Sequence, residues 1–159
     1  MTNTRILLMR HAEKSGDPMD PHLSPEGYAR AAKLAEYIAV TFGVPQFLYA
    51  TSISKHSVRP IETIEPMSLK IGVQIDATYA DQDYGALAAK LLSPPSFADA
   101  TNLIVICWHH GNIPSMARAL GAKSGDYPDP WDAQVFNQIL ALTYSGDGAP
   151  QVTTWTEPF

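Results

Sequence analysis

An arginine and a histidine near the start of the chain are the first residues whose types suggest chemistry. The apolar run Ile6-Leu7-Leu8-Met9 leads directly into Arg10 and His11. Such a run predicts a buried strand that delivers the following residues to the carboxyl edge of a sheet, where ligands bind in open α/β proteins. An arginine there matches a phosphate with a planar fork of donors, and a histidine can attack phosphorus. Arg10 and His11 are therefore candidates for phosphoryl chemistry, although the dipeptide alone is equally typical of a surface pair.

Two other places in the chain repeat this arrangement. His109 and His110 follow a second apolar run, Leu103 to Trp108, and lead through a glycine into a predicted helix. Arg59 stands just before Pro60 at another predicted helix start. Helix N-termini bind anions through their free backbone N–H groups. Three element ends thus bring cationic or ionisable groups to one expected edge, which favours an anion site there.

The elements that must position these residues alternate between strand-like and helix-like patterns, which predicts an α/β fold. The first helix has a defined start, with Ser24 as N-cap and Pro25 at the first helical position. We expect Pro66 to kink or interrupt the second helix. Strands are predicted over about 5–10, 47–51, 74–76 and 103–108, helices over about 25–42, 59–69, 85–92 and 113–120, and a terminal hairpin over about 135–144 and 152–155.

Size and composition exclude several classes of function. The 159 residues predict one domain, 1–159. A net charge of −5 argues against nucleic-acid binding, which needs a basic face. No apolar window approaches the ~20 residues that cross a bilayer, and no signal peptide is visible, so no membrane partner and a cytoplasmic location are predicted. The single cysteine, Cys107, lies inside an apolar run and is predicted to be a small buried residue.

The motifs taken together resemble those of the histidine phosphatase superfamily, also called the phosphoglycerate-mutase-like family. Five segments resemble its Arg-His signature, its Leu-Ser/Thr-x-x-Gly helix start, its Arg-x-x-x-Thr element, its acid-x-x-Tyr-Gly segment and its second catalytic histidine motif. In that order they are Leu8–Glu13, Leu23–Gly27, Arg59 with Thr63, Asp81–Gly85 and His110–Ile113. The resemblance covers nearly the whole chain. It implies a three-layer α/β/α sandwich with a mostly parallel sheet and a C-terminal hairpin.

The resemblance also implies a role for each site residue. His11 would attack the phosphorus of a phosphate ester and form a phosphohistidine, which water then hydrolyses. Arg10, Arg59 and His110 would bind the phosphoryl oxygens, and Asp81 would protonate the leaving oxygen. No metal ion or other cofactor is implied, because the cationic side chains do the work of a magnesium ion. The implied partner is a small phosphorylated substrate or a phosphoprotein.

Two residue assignments have alternatives in the sequence. Asp83 is a rival of Asp81 for the role of proton donor. His109 and His110 are neighbours, and successive side chains of an extended segment point to opposite sides, so we expect only one of them to face the phosphate. His110 fits the family motif, which leaves His109 as a hydrogen-bonded neighbour.

The function has alternatives as well. The short chain favours a hydrolase over a mutase, because the mutases of the family carry longer insertions. A small protein-phosphohistidine phosphatase and a non-catalytic module that binds a phosphorylated ligand are the two other hypotheses. An apolar patch on the terminal hairpin is a candidate surface for a homodimer.

An acidic stretch before the hairpin has the composition of a metal site but not its spacing. Asp126, Asp129 and Asp132 are separated by prolines and surround Trp131. We interpret this stretch as a rigid loop in which Trp131 packs as a plug. Because no recognised metal-ligand spacing occurs in the chain, a metal enzyme is not predicted.

Overall fold

The computed structural model describes residues 3–93, 102–146 and 148–159. The strands within these residues are β1 (Thr4–Arg10), β2 (Phe47–Ala50), β3 (Ile75–Asp76), β4 (Asn102–Trp108), β5 (Gln138–Tyr144) and β6 (Gln151–Thr156). They form one sheet in the order β3-β2-β4-β1-β5-β6. β3, β2, β4 and β1 are parallel, whereas β5 and β6 pair antiparallel. The predicted mostly parallel sheet and C-terminal hairpin are confirmed, and residue 147 of the predicted hairpin turn lies outside the described residues.

The described helices are α1 (Pro25–Thr41), α2 (Arg59–Ile71), α3 (Tyr84–Leu92) and α4 (Ile113–Ala119). None of them is long and apolar enough to cross a membrane. Ser24 caps α1 as predicted, since its hydroxyl accepts a hydrogen bond from the Gly27 N–H at 3.1 Å. The expected interruption at Pro66 does not occur, because burial of Ile64 and Met67 on either side of the proline outweighs the one backbone hydrogen bond that it removes.

Helices cover both faces of the sheet. Leu7 and Met9 of β1 belong to an apolar cluster with the buried faces of α1 and α2, and Ile6 and Leu8 belong to a second cluster with α3 and α4. This division follows from the alternation of side chains along a strand. Cys107 is fully buried in the first cluster, as predicted. The structure therefore has the three α/β/α layers that the family resemblance implies.

Candidate active site

Parallel pairing of β1 with β4 brings two of the predicted site segments together. Arg10 is in register with Trp108, so His11 and His109 follow at adjacent strand ends. The His11 N–H donates to the Trp108 carbonyl at 3.1 Å. The imidazole rings of His11 and His109 contact each other edge to face, with centroids 5.3 Å apart. The carboxyl edge of the sheet is thus where the candidate groups meet, as in other open α/β folds.

His11 is buried in a protonation state that suits a nucleophile. Its side chain is almost completely covered, since the residue is 2% exposed. Nδ1 lies 2.7 Å from the Ala12 carbonyl oxygen. Because a carbonyl only accepts, Nδ1 carries the proton and Nε2 carries the lone pair. Burial, helped by the charges of Arg10 and Arg59, lowers the pKa of His11 to about 3 against the opposing effect of the Ala12 carbonyl. The ring is therefore neutral at neutral pH.

The guanidinium group of Arg10 is fixed on one edge and on one face. Its Nη1 donates to the carbonyls of Ala133 at 2.6 Å and Val135 at 3.4 Å. Its Cζ lies 3.8 Å from the centroid of the Phe136 ring. Burial and then the charge of Arg59 lower the pKa of Arg10 to about 10, so the group remains a cation at neutral pH.

Arg59 is held in a similar way at the first turn of α2. Its Nη1 donates to the Asp20 carbonyl at 2.8 Å. Burial lowers its pKa, although the charges of Asp20 and Glu62 oppose this effect. Thr63 connects this turn to the loop after β1, because its hydroxyl accepts from the Ala12 N–H at 2.9 Å and donates to the Arg59 carbonyl at 2.8 Å.

Each of the two arginines has one buried nitrogen atom without a hydrogen-bond partner. The described residues contain four buried side-chain N or O atoms without a hydrogen-bond partner. Two of them are Nε of Arg10 and Nε of Arg59, and a third is Oδ1 of Asp81. In each arginine the protein therefore binds Nη1 and leaves the opposite, Nε-bearing edge for other acceptors. That edge presents two parallel N–H donors, the geometry that matches two oxygens of a phosphate.

The two adjacent histidines lie at different depths beside Arg10. His109 is the more deeply placed, with Nε2 3.4 Å from the Thr51 hydroxyl. Burial lowers its pKa to about 4, and the charges of Arg59, His110 and Arg10 act in the same direction. His110 is partly exposed, and its pKa is lowered by burial, then by Arg10 and Lys14. The hydrogen bond to Thr51 is of the kind expected of His109, and the phosphate-binding role of His110 stays a prediction.

Asp81 is hydrogen-bonded to residues on either side of these histidines. It begins a 3₁₀ turn before α3, and its Oδ2 accepts from the Asn112 side chain at 2.9 Å. Its backbone carbonyl accepts from the Trp108 indole N–H at 3.1 Å. Burial raises the pKa of Asp81, which favours the protonated form that a general acid needs. Asp83, the alternative proton donor, is exposed. The assignment of the acid to Asp81 stays a prediction.

Sequence reasoning missed the segment that holds Arg10. The predicted hairpin strand begins at Val135, but β5 begins at Gln138, because the Val135 carbonyl accepts from Arg10 and from the Trp131 indole instead of from a strand. The predicted order of strands could have located this segment. If a C-terminal strand pairs antiparallel with β1, the residues that precede the C-terminal strand must lie beside the residues that follow β1. That reasoning would have placed Phe136 next to Arg10.

The acidic stretch before β5 has the packing predicted for it. Trp131 is 4% exposed and belongs to the apolar cluster under α3 and α4. Nowhere in the described part of the chain do three or more His, Cys, Asp or Glu side chains form a group that could hold a metal ion. Asp129 instead pairs with Arg118 at 3.0 Å.

Comparison with known proteins places this site in a known fold. The sequence matches no protein-family model, and no curated protein sequence matches it. Among solved structures, the protein histidine phosphatase SixA complexed with tungstate is similar at 15% identity, with 96% of each chain covered and a TM-score of 0.67. Phosphoglycerate mutase from Plasmodium falciparum is 16% identical, with 98% of this chain and 91% of that chain covered and a TM-score of 0.64.

A phosphoserine phosphatase from Entamoeba histolytica, in complex with 3-phosphoglyceric acid, is similar at 15% identity, with 97% of each chain covered and a TM-score of 0.60. Fold and site together define the class of this protein. It is a mixed α/β protein with cationic groups at the carboxyl edge of its sheet. More narrowly, the chain shares the fold of a protein histidine phosphatase, a phosphoglycerate mutase and a phosphoserine phosphatase, and the fold that the motif resemblance implies is confirmed.

Proposed function

We propose that the protein is a metal-independent phosphatase that hydrolyses a phosphate monoester through a phosphohistidine intermediate on His11. The main support is the combination of a buried, neutral His11 with two neighbouring arginines whose Nε atoms have no protein partner. Arg10, Arg59 and His110 bind the phosphoryl group, and Asp81 is the general acid. The substrate is a small phosphorylated molecule or a phosphoprotein, and the predicted location is the cytoplasm.

In the first step, the Nε2 lone pair of His11 attacks phosphorus and the bond from phosphorus to the leaving oxygen breaks. The leaving oxygen takes the proton of Asp81. The imidazole ring becomes positive as it is phosphorylated, and the Ala12 carbonyl at Nδ1 stabilises that charge. The arginines stabilise the charge on the transferring oxygens, the interaction that dominates phosphoryl transfer.

In the second step, the Asp81 carboxylate takes a proton from water while the water oxygen attacks phosphorus. The bond from phosphorus to Nε2 breaks, and its electron pair returns to the neutral imidazole. Asp81 is thereby protonated again, and orthophosphate leaves. Because burial raises the pKa of Asp81, the acid form persists to higher pH than for an exposed aspartate. Activity is expected to fall as pH rises through that raised pKa.

A protein-phosphohistidine phosphatase is the second candidate, favoured by the structural match to a protein histidine phosphatase. The two candidates differ in their need for Asp81, because the imidazole of a phosphohistidine is a good leaving group. Asp81→Asn is expected to slow hydrolysis of an alkyl phosphate by about 10²- to 10⁴-fold. The same variant would leave phosphohistidine hydrolysis nearly unchanged if the second candidate is correct.

The first test is p-nitrophenyl phosphate hydrolysis with EDTA present over roughly pH 4 to pH 8, comparing the native protein with His11→Ala. The matched control is His56→Ala, at an exposed histidine on the loop before α2. Activity that survives EDTA, persists in the control and disappears in His11→Ala supports the proposal. Equal activity in all three proteins contradicts it. Protection by orthophosphate against unfolding without any turnover would instead support a binding module.

A further inference from the structure

Arg10 is held by a segment distant in sequence, Trp131–Asn137, which we call the arginine clamp. The clamp supplies two backbone carbonyls to Nη1 of Arg10 and one aromatic ring to the face of its guanidinium group. None of these three contacts carries a charge. The clamp also contains Asp132, whose charge raises the pKa of Arg10, but no salt bridge of the described residues involves Arg10. The clamp therefore fixes the position of Arg10 without bonding a carboxylate to it.

The clamp is itself anchored at both ends. At its start, Trp131 is buried and its indole N–H donates to the Val135 carbonyl at 3.1 Å. Between them, the Gln134 N–H donates to the Asp132 side chain at 2.8 Å and closes a local turn. At its end, the Asn137 carbonyl accepts from the Glu157 N–H at 2.8 Å. The carbonyls that hold Arg10 are thus presented by a fixed backbone.

Phe136 is the clamp residue that contacts the site through its side chain. Its ring lies 3.8 Å from Cζ of Arg10, and its centroid is 6.2 Å from that of the His11 ring. A guanidinium carbon 3.8 Å from a ring centroid is within stacking distance of the aromatic face, and arginine stacks on such faces. The carbonyls hold one edge of the group and the ring contacts its face, so both contacts restrict the direction of the Nε-bearing edge.

We propose that Phe136 is a positioning residue that orients the Nε-bearing edge of Arg10 for binding a phosphoryl group. The inference rests on the proposed function of the site, and it adds a residue that lies outside every motif of the sequence. Orientation before binding reduces the entropy lost when the anion is bound. A residue that only filled space would be replaceable by any apolar side chain of similar size.

The test compares Phe136→Leu, which removes the aromatic face but keeps an apolar side chain, with Phe136→Tyr, which keeps the face. Phe42→Leu is the matched control, because Phe42 is also half-buried among aromatic rings but lines a cavity of about 290 Å³ with residues at the opposite end of β1. Orthophosphate affinity is measured by calorimetry for each folded variant, and kcat and KM are measured with p-nitrophenyl phosphate. The Arg10 Nε–H resonance is followed by NMR for the upfield shift that a stacked ring causes.

We expect Phe136→Leu to weaken orthophosphate binding by about 3- to 10-fold and to abolish the upfield shift. Phe136→Tyr and Phe42→Leu should bind orthophosphate like the native protein. Native-like affinity of Phe136→Leu after loss of the upfield shift would overturn the inference, as would equal losses in all three variants. If the native protein binds orthophosphate but hydrolyses no ester, the same affinity pattern still supports the role of Phe136, and only the proposed function fails.

Discussion

Arg30 and Arg10 are both largely covered arginines, but the protein completes their hydrogen bonds in different ways. Every nitrogen of Arg30 has a partner: Nε and Nη2 donate to the Glu13 carboxylate at 2.8 to 3.0 Å, and Nη1 donates to Glu157 and to the Phe159 carbonyl at 2.7 Å. Arg10 has only neutral carbonyls on Nη1 and no partner on Nε.

The pKa shifts of the two residues differ accordingly. Burial alone would lower the pKa of Arg30, but hydrogen bonds to Glu13 and Glu157 raise it overall. Burial and the neighbouring Arg59 lower the pKa of Arg10. Among the salt bridges of the described residues, none involves Arg10 or Arg59. Arg30 is thus paired with carboxylates in direct salt bridges. Arg10 and Arg59 form no such bridge, and the carboxylates near them act only as charges at a distance.

The largest effect is expected for stability, on replacing Arg30. Arg30→Met leaves Glu157, which is 4% exposed, without its charged partner. Breaking a buried pair in this way costs about 3–5 kcal/mol of unfolding free energy. Urea unfolding measures the change. Arg118→Met, which removes an exposed pair with Asp129, is the control and should cost ~0–1 kcal/mol. Equal losses of stability in Arg30→Met and Arg118→Met would show that the Arg30 pair does not stabilise the fold.

The opposite result is expected for Arg59. Arg59→Met should lower kcat/KM by about 10²- to 10³-fold, because it removes a cation that stabilises charge in the transition state. The free energy of unfolding should stay the same or rise, since a buried charge near Arg10 is removed. Steady-state kinetics measures kcat/KM and urea unfolding measures the free energy of unfolding, both on one preparation of the variant. A variant that loses stability but keeps its turnover would break the contrast with Arg30.

Orthophosphate should distinguish the arginines without any turnover. At about 100 times its dissociation constant, a ligand that binds only the folded state adds about 2.7 kcal/mol of stability. We expect this gain in the native protein and in Arg30→Met, each relative to its own baseline, and its loss in Arg59→Met. Thermal unfolding with and without orthophosphate measures it. A gain that survives in Arg59→Met would place the anion elsewhere.

The last effect, the smallest when it is stated per pH unit, concerns the pH dependence of stability. The pKa of His11 falls from its ordinary value of 6.5 to about 3 on folding, so between these values the unfolded chain binds a proton that the folded chain does not. Stability should therefore rise with pH across this window, and His11 contributes about 1.4 kcal/mol per pH unit. His11→Gln should reduce the slope by that amount relative to the native protein. Identical slopes would contradict a buried, neutral His11.

The sequence was informative where the determinants of structure are local. The apolar runs before Arg10 and His109 end at the residues that the structure brings to one edge, because a buried parallel strand is itself a short apolar run. The Ser24–Pro25 pair identified the start of α1 because the residue preferences at a helix N-terminus are also local. Parallel pairing of two such strands was enough to expect the histidines to be neighbours.

The features that the sequence did not reveal depend on contacts between distant segments. Phe136 reaches Arg10 only because β5 pairs antiparallel with β1, with Met9 opposite Ile139. Arg30 meets Glu157 across most of the chain. No local periodicity records either contact, and the same is true of the missing partner on Nε of Arg10, which appears only after all neighbouring acceptors are placed.

The central claim is that His11 is the nucleophile, and trapping the intermediate tests it most directly. The native protein is mixed with a phosphate ester, quenched in alkali, where phosphohistidine survives, and digested for mass spectrometry. We expect one phosphoryl group, on Nε2 of His11, and none in His11→Ala. A phosphoryl group on His109 or His110, or turnover that continues in His11→Ala, would contradict the account.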